Sequence, residues 1–66
     1  MAVPFTKRET EIFKLILDEH TSQEIADQLG ISARTVETHR KNIIKKSGTK
    51  SLVGLVKYGF RKKMIR

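Results

Sequence analysis

A helix-start signal that occurs twice constrains the fold of this chain more than any other feature of its sequence. Thr6-Lys7-Arg8-Glu9 and Thr21-Ser22-Gln23-Glu24 both place a threonine three residues before a glutamate. In such a capping box the threonine hydroxyl accepts a hydrogen bond from the glutamate N–H, and the glutamate carboxylate accepts one from the threonine N–H. Two capping boxes close together predict a chain of short helices.

Apolar residues at helical spacing follow each signal. The first box predicts a helix over residues 7–18, with Phe5 as a hydrophobic staple before it and one apolar face made of Ile12, Phe13, Ile16 and Leu17. The second predicts a helix of about two turns that buries Ile25, Ala26 and Leu29 and ends at Gly30. Ser32 then caps a third helix over 33–46, which ends before Gly48. Ser51 caps a fourth over 52–61, which carries on one side Leu52, Leu55, Val56, Gly59 and Phe60. A helix, a tight glycine-containing turn and a second helix form a helix-turn-helix unit.

Length and composition limit what this all-α chain can do. Its 66 residues hold one small core, and it has no cysteine for disulfides or thiolate metal sites. No glycine-rich phosphate loop, nucleophile elbow or pair of carboxylates at a plausible pocket supports an enzyme, and the two histidines do not suggest a zinc site. We therefore expect a single non-enzymatic domain over 1–66 that needs no cofactor or metal.

Charge is distributed very unevenly along the chain. Residues 1–33 hold three Lys or Arg against six acids, a net charge of −3, whereas residues 34–66 hold eleven against one, a net charge of +10. A surface this basic usually meets an anionic partner. The second half is therefore expected to carry the binding face.

The third helix should present most of that charge outward. At 100° per residue, Val36 and Ile43 share an inward stripe, whereas the opposite face carries Arg34, Thr38, Lys41 and Lys45. Such side chains suit the major groove of DNA, where they can pair with base edges. Glu37, beside this face, has two possible roles: it pairs with the cytosine amino group, or it forms an intrahelical pair with Lys41.

Phosphate contacts are expected from helix starts and from the remaining cations. Backbone N–H groups at helix starts bind anions, and the candidates at these positions are Ser22, Gln23, Thr35, Lys50 and Ser51. For each of them a capping or turn role is an equally good explanation. Further positive charge comes from Arg40, Lys45, Lys46 and Lys57.

Several segments together resemble the LuxR-type (LuxR/GerE) helix-turn-helix domain. The similar segments are Phe-Thr-Lys-Arg-Glu-Thr-Glu-Ile-Phe (5–13), Ser-Gln-Glu-Ile-Ala-Asp-Gln-Leu (22–29) and Ile-Ser-Ala-Arg-Thr-Val-Glu-Thr-His-Arg-Lys-Asn-Ile (31–43). They resemble its opening segment, scaffold helix and recognition helix, and the match covers nearly the whole chain. Thr-Val-x-x-His after Ile-Ser, combined with Thr-x-Arg-Glu upstream, makes this a specific signal.

The resemblance implies a four-helix domain that binds double-stranded DNA and regulates transcription. It also implies base contacts from Glu37, Thr38 and Lys41, phosphate contacts near Thr35 and Lys45, and a homodimer on DNA through the fourth helix at Val53, Gly54 and Lys57. Leu52 and Ser47 depart from residues common in the family, arginine and leucine respectively. The fourth helix resembles a subgroup joined to receiver domains. We therefore expect the output domain of a longer response regulator, cytoplasmic and nucleoid-associated in a bacterium, with RNA polymerase as a possible partner.

Two other binding functions remain open from the sequence. The basic, partly apolar tail 57–66 could lie on an anionic membrane, although Tyr58, Phe60, Met64 and Ile65 are better explained by core closure and dimer contact. A helix-turn-helix can also serve as a protein–protein adaptor, which the strongly basic half disfavours. RNA binding is disfavoured because the four aromatic residues occupy core-like positions.

Overall fold

The computed structural model describes residues 4–64 and contains four helices: α1 (Lys7–Leu17), α2 (Ser22–Leu29), α3 (Ala33–Ser47) and α4 (Leu52–Arg61). No strand occurs within this part of the chain. The all-α, four-helix prediction is confirmed, and the helix ends lie within one residue of the predicted ones.

Each helix begins at a hydroxyl residue whose side chain accepts a hydrogen bond from the third helical N–H. Thr6 and Thr21 form the two predicted capping boxes, with 3.1 Å from the glutamate N to the threonine Oγ1 and 2.8 Å from the threonine N to the glutamate Oε1 in both. Ser32 and Ser51 cap α3 and α4 at 3.0 Å. These caps satisfy N–H groups that have no partner inside a helix.

Helix ends follow two patterns, of which the sequence indicated only one. Gly30 and Gly48 end α2 and α3 in the left-handed conformation, with φ of 68° and 75°. Glu19 and Lys63 adopt the same conformation after α1 and α4, with φ of 62° and 59°. At the end of α1 the His20 N–H bonds the Leu15 carbonyl at 3.1 Å, which completes a Schellman motif around a non-glycine residue.

The core lies between α1, α2 and α3 and is closed by α4. Its fully buried side chains are Ile12, Phe13, Ile25, Val36 and Ile43, and each stabilises the fold by about 1.5–3 kcal/mol through apolar burial. Tyr58 of α4 stacks on Phe5 with 5.3 Å between ring centroids, and Phe5 meets Phe13 edge-on at the same distance. The α2–α3 unit therefore packs on α1, and α4 closes the same core.

One prediction about α4 holds only in part. Five residues were expected on one side of the helix, and of these Leu55 and Gly59 are buried, whereas Leu52 and Phe60 are 41% and 55% exposed. The inward face is formed by Leu55, Tyr58 and Gly59, and on this face Tyr58 stacks on the Phe5 ring. Met64 packs partly against the core as expected, and Ile65 lies outside the described residues.

Candidate nucleic-acid interface

The α2–turn–α3 unit presents α3 as a ridge on the surface. Gly30, Ile31 and Ser32 connect the two helices, and the Ile31 N–H bonds the Ala26 carbonyl at 3.1 Å, which tightens the turn. Ile25 and Ala26 of α2 are buried with Val36 and Ile43 of α3. Because these four residues account for the inward sides of both helices, the opposite side of α3 is free to meet a partner.

The four residues predicted to form the outward face of α3 are brought together as expected. Arg34, Thr38, Lys41 and Lys45 are all exposed. Thr38, Lys41 and Lys45 also line a shallow concavity with Asn42 and Ile44. The Thr38 hydroxyl donates to the Arg34 carbonyl at 3.2 Å. That bond occupies the hydroxyl hydrogen and leaves the Thr38 methyl group and the lone pairs of the hydroxyl oxygen for contacts with another molecule.

Glu37 contacts different residues from those the sequence suggested. Its Oε2 atom accepts a hydrogen bond from the Ser22 hydroxyl and lies 3.8 Å from Arg40 Nε. The intrahelical pair considered from the sequence, Glu37 with Lys41, is not among the ion pairs of residues 4–64, and the partner on α3 is Arg40, one residue nearer along the chain. Sequence spacing alone allowed both partners on α3 and gave no indication of the contact with Ser22 of α2.

The predicted phosphate-binding residues lie at three helix starts. Ser22 and Gln23 open α2, and the Gln23 amide donates to Asp27 at 3.0 Å. Thr35 lies in the first turn of α3, where its hydroxyl is 2.9 Å from that of Ser32. Lys50 and Ser51 precede α4, and Lys50 is exposed. Of these residues only Ser51 is an N-cap, since Thr21 caps α2 and Ser32 caps α3. The first-turn N–H groups that are not bonded to a cap have no intrahelical partner.

Lys46 does not belong to the outward basic surface, which corrects the sequence-based expectation. Its Nζ atom donates to Glu9 Oε1 at 2.5 Å and to the Pro4 carbonyl at 3.2 Å, and only 19% of its side chain is exposed. Glu9 itself is buried on the inward side of α1. A carboxylate on an apolar stripe requires a cation, so the position of Glu9 three residues before Ile12 was the signal for this pair.

The pKa of Glu9 results from opposing effects. Burial raises it, but the hydrogen bonds from Lys46 and from the Thr6 N–H, together with the positive charge of Lys46, outweigh burial and hold the pKa below its ordinary value of 4.5. Glu9 therefore remains ionised at neutral pH and joins α1 to α3.

Of the three residues predicted to form a dimer interface, Val53 and Lys57 lie on the outer surface of α4 and Gly54 does not. Val53 is 66% exposed, and Lys57 is exposed beside it. Gly54 faces the turn before α4, where an added Cβ would overlap the Thr49 side chain. The close approach of Thr49, in the turn before α4, thus explains why residue 54 is a glycine. The place of Gly54 in a dimer interface stays a prediction.

The fold and this cationic third helix define a helix-turn-helix protein. The profile of the family described as "Bacterial regulatory proteins, luxR family" matches residues 3–58. The chain therefore belongs to the LuxR family, a family of DNA-binding transcription regulators and not a class of enzymes. The sequence-based recognition is confirmed. No helix within residues 4–64 is long and apolar enough to cross a membrane.

Similar proteins include response regulators. The chain is 50% identical over 56 residues to the uncharacterized response regulatory protein YgeK of Escherichia coli, with 85% of this chain and 38% of YgeK aligned. It is 47% identical over 55 residues to the transcriptional regulatory protein MctR of Rhizobium johnstonii, covering 83% and 26% respectively. For the oxygen regulatory protein NreC of Staphylococcus aureus, identity is 43% over 60 residues, covering 91% and 28%. The chain thus spans about a quarter to two fifths of these relatives.

Among solved structures, the transcription factor GerE is similar over nearly its whole length. The TM-score is 0.79 at 33% sequence identity, with 92% of this chain and 91% of GerE aligned. The four-helix LuxR/GerE-type fold predicted from the sequence is therefore confirmed.

Proposed function

We propose that this chain binds double-stranded DNA sequence-specifically, with α3 in the major groove, and regulates transcription as the output domain of a response regulator. The observation that carries this proposal is the division of α3 into two faces. Val36 and Ile43 are fully buried, whereas Arg34, Thr38, Lys41 and Lys45 are exposed along the opposite side. A rigid helix with a cationic, hydrogen-bonding outer face has the shape and chemistry of a major-groove reader.

Within this proposal the residues have two kinds of role. The base edges are contacted by Arg34, Glu37, Thr38 and Lys41. The phosphates are contacted by Ser22, Gln23, Thr35, Arg40, Lys45, Lys50 and Ser51. Phosphate contacts fix the register of the protein on the duplex, and base contacts select the sequence.

Two copies are proposed to bind together on DNA. The proposed interface is formed by Val53, Gly54 and Lys57 of α4. The exposure of Val53 and Lys57 supports pairing of two domains, which would place two α3 helices in grooves about one helical turn apart. Such a regulator would act on the bacterial nucleoid in the cytoplasm, with RNA polymerase as a further partner.

The proposal is tested by selecting bound sites from a random pool of duplex oligonucleotides and measuring affinities for the selected site and a random duplex. Lys41→Ala should weaken binding to the selected site by about 1–3 kcal/mol and relax base preference, because it removes a base contact. Lys45→Ala should weaken both duplexes alike and reduce the salt dependence by about one unit of slope.

The two lysines are matched controls for each other, since both are exposed on the same helix. Failure of the wild-type protein to prefer any sequence would contradict the proposed function. Equal losses on both duplexes for Lys41→Ala would contradict the assignment of Lys41 to a base.

A further inference from the structure

The Glu37 carboxylate uses only one of its two oxygen atoms within the protein. Both Ser22 Oγ and Arg40 Nε contact Oε2, the latter at 3.8 Å. The other oxygen, Oε1, takes part in no hydrogen bond or ion pair between residues 4–64. The Glu37 side chain as a whole is 56% exposed.

The contacts of Glu37 address the main difficulty of placing an acid against DNA. A carboxylate beside a polyanion is repelled, and a flexible glutamate loses side-chain entropy when a base fixes it. Arg40 lies on the same helix and offsets the negative charge, whereas Ser22 reaches Glu37 from α2. The contact from a second helix restricts the carboxylate before any base is present.

From this arrangement we infer that Ser22 is a positioning residue for base recognition: its hydroxyl, with Arg40, fixes the Glu37 carboxylate so that Oε1 accepts a hydrogen bond from a cytosine amino group. The inference rests on the proposed function, because it requires α3 to lie in the major groove. It gives α2 a part in choosing the sequence as well as in supporting α3.

Ser22 has a single hydroxyl hydrogen, so its contact with Glu37 excludes a hydrogen bond from the same hydroxyl to a phosphate. A serine hydroxyl donates one hydrogen bond, and here the acceptor is Glu37. Ser22 therefore cannot hold Glu37 and donate its hydroxyl to a phosphate at the same time. Any phosphate contact at this position uses the backbone N–H, which no side-chain substitution except proline removes.

The test compares Ser22→Ala with Ser22→Thr. The capping box that starts α2 uses Thr21 and Glu24, so neither change removes a helix cap, and thermal melts would verify folding. Affinities are measured for the selected operator and for a set of duplexes in which one base pair at a time is changed. Gln28→Ala serves as the matched control, since Gln28 is exposed on the same helix and makes no hydrogen bond to α3 within the described chain.

Ser22→Ala should reduce discrimination at one base pair by about 2- to 10-fold, the range expected when one side chain loses its preorganisation. Discrimination at the other positions should be unchanged. Ser22→Thr, which retains the hydroxyl, should keep the discrimination. In a Glu37→Ala background, Ser22→Ala should have no further effect at that base pair, because the two residues act as one unit.

Three results would overturn the inference while leaving the proposed function in place. One is an equal loss for Ser22→Ala on all duplexes, which indicates a phosphate contact. Another is unchanged base preference in Glu37→Ala. The third is additive effects of the two substitutions on discrimination. A wild-type protein without sequence preference would instead contradict the proposed function itself.

Discussion

The orientation of the Lys46 side chain removes one positive charge from the surface that could contact DNA. Lys46 follows Lys45 directly in the sequence, yet Lys45 is exposed and Lys46 is bonded to Glu9 and to the Pro4 carbonyl. One lysine is therefore available to phosphates, and its neighbour ties α3 to α1. Their substitutions should affect different properties.

Lys46→Met should lower the free energy of unfolding at pH 7 by about 1–3 kcal/mol, because it leaves the buried Glu9 carboxylate without its charged hydrogen-bond donor. Affinity for DNA of the folded protein should change little. The measurement is urea denaturation followed by circular dichroism. Lys45→Met is the control, and a loss of stability as large as that of Lys46→Met would contradict this explanation.

The same pair predicts a pH dependence. Because the folded state lowers the pKa of Glu9 below 4.5, its contribution to stability is fully present above that pH and is lost as the pH falls through the folded-state pKa. Glu9→Gln should remove this part of the acid sensitivity. In Lys46→Met this acid-induced loss should be smaller, because the pKa of Glu9 is then less depressed once burial raises it without the opposing cation.

At the scale of the elements, the four helices are defined by their ends. Hydroxyl N-caps and the glycines at Gly30 and Gly48 were visible in the sequence, and the corresponding helices lie where they were expected. The ends of α1 and α4 adopt the same left-handed geometry at Glu19 and Lys63 without glycine. Glycine adopts this conformation at a lower cost, so the free energy of unfolding could be raised by substitution at these two positions.

Glu19→Gly should raise the free energy of unfolding by up to about 1 kcal/mol. A left-handed conformation costs a non-glycine residue about 1–2 kcal/mol, and glycine returns part of this gain through the greater freedom of its unfolded chain. Glu19→Ala provides the control, because it removes the same side chain and keeps the Cβ. If Ala and Gly raised the melting temperature equally, side-chain charge and not backbone strain would be the cause.

Local signals account for what the sequence could predict, and packing between helices accounts for what it could not. Capping boxes and apolar spacing act within one helix, so the helix ends and the outward face of α3 could be predicted. The contacts of Glu37 with Ser22 and of Lys46 with Glu9 join residues on different helices. The inward side of α4 is likewise set by the stacking of Tyr58 on Phe5, a residue that precedes α1, and Phe60 lies outside this contact.

At the scale of the whole molecule, α4 presents an apolar surface. Leu52, Val53 and Phe60 are the exposed large apolar side chains of the described residues. Surface apolar residues gathered on one helix mark a site of association. This is the surface on which the proposed dimer depends, and the exposure of Phe60 favours dimer contact over core closure, the two roles that the sequence offered for it.

Phe60→Ser should weaken binding to a duplex with two half-sites and leave affinity for a single half-site unchanged, because it removes apolar contact between copies without touching α3. Fluorescence anisotropy on the two duplexes measures this difference. Gln28→Ser is an exposed control on α2. Equal affinities of Phe60→Ser and the wild type for the two-site duplex would exclude Phe60 from the interface.

The two-faced character of α3 also determines how such a domain can diversify. Val36 and Ile43 hold the helix in place, and none of the outward residues contributes a fully buried side chain. Substitutions at Arg34, Thr38 and Lys41 should therefore leave the core intact. Under the proposed function, such substitutions would change the preferred operator without loss of the fold.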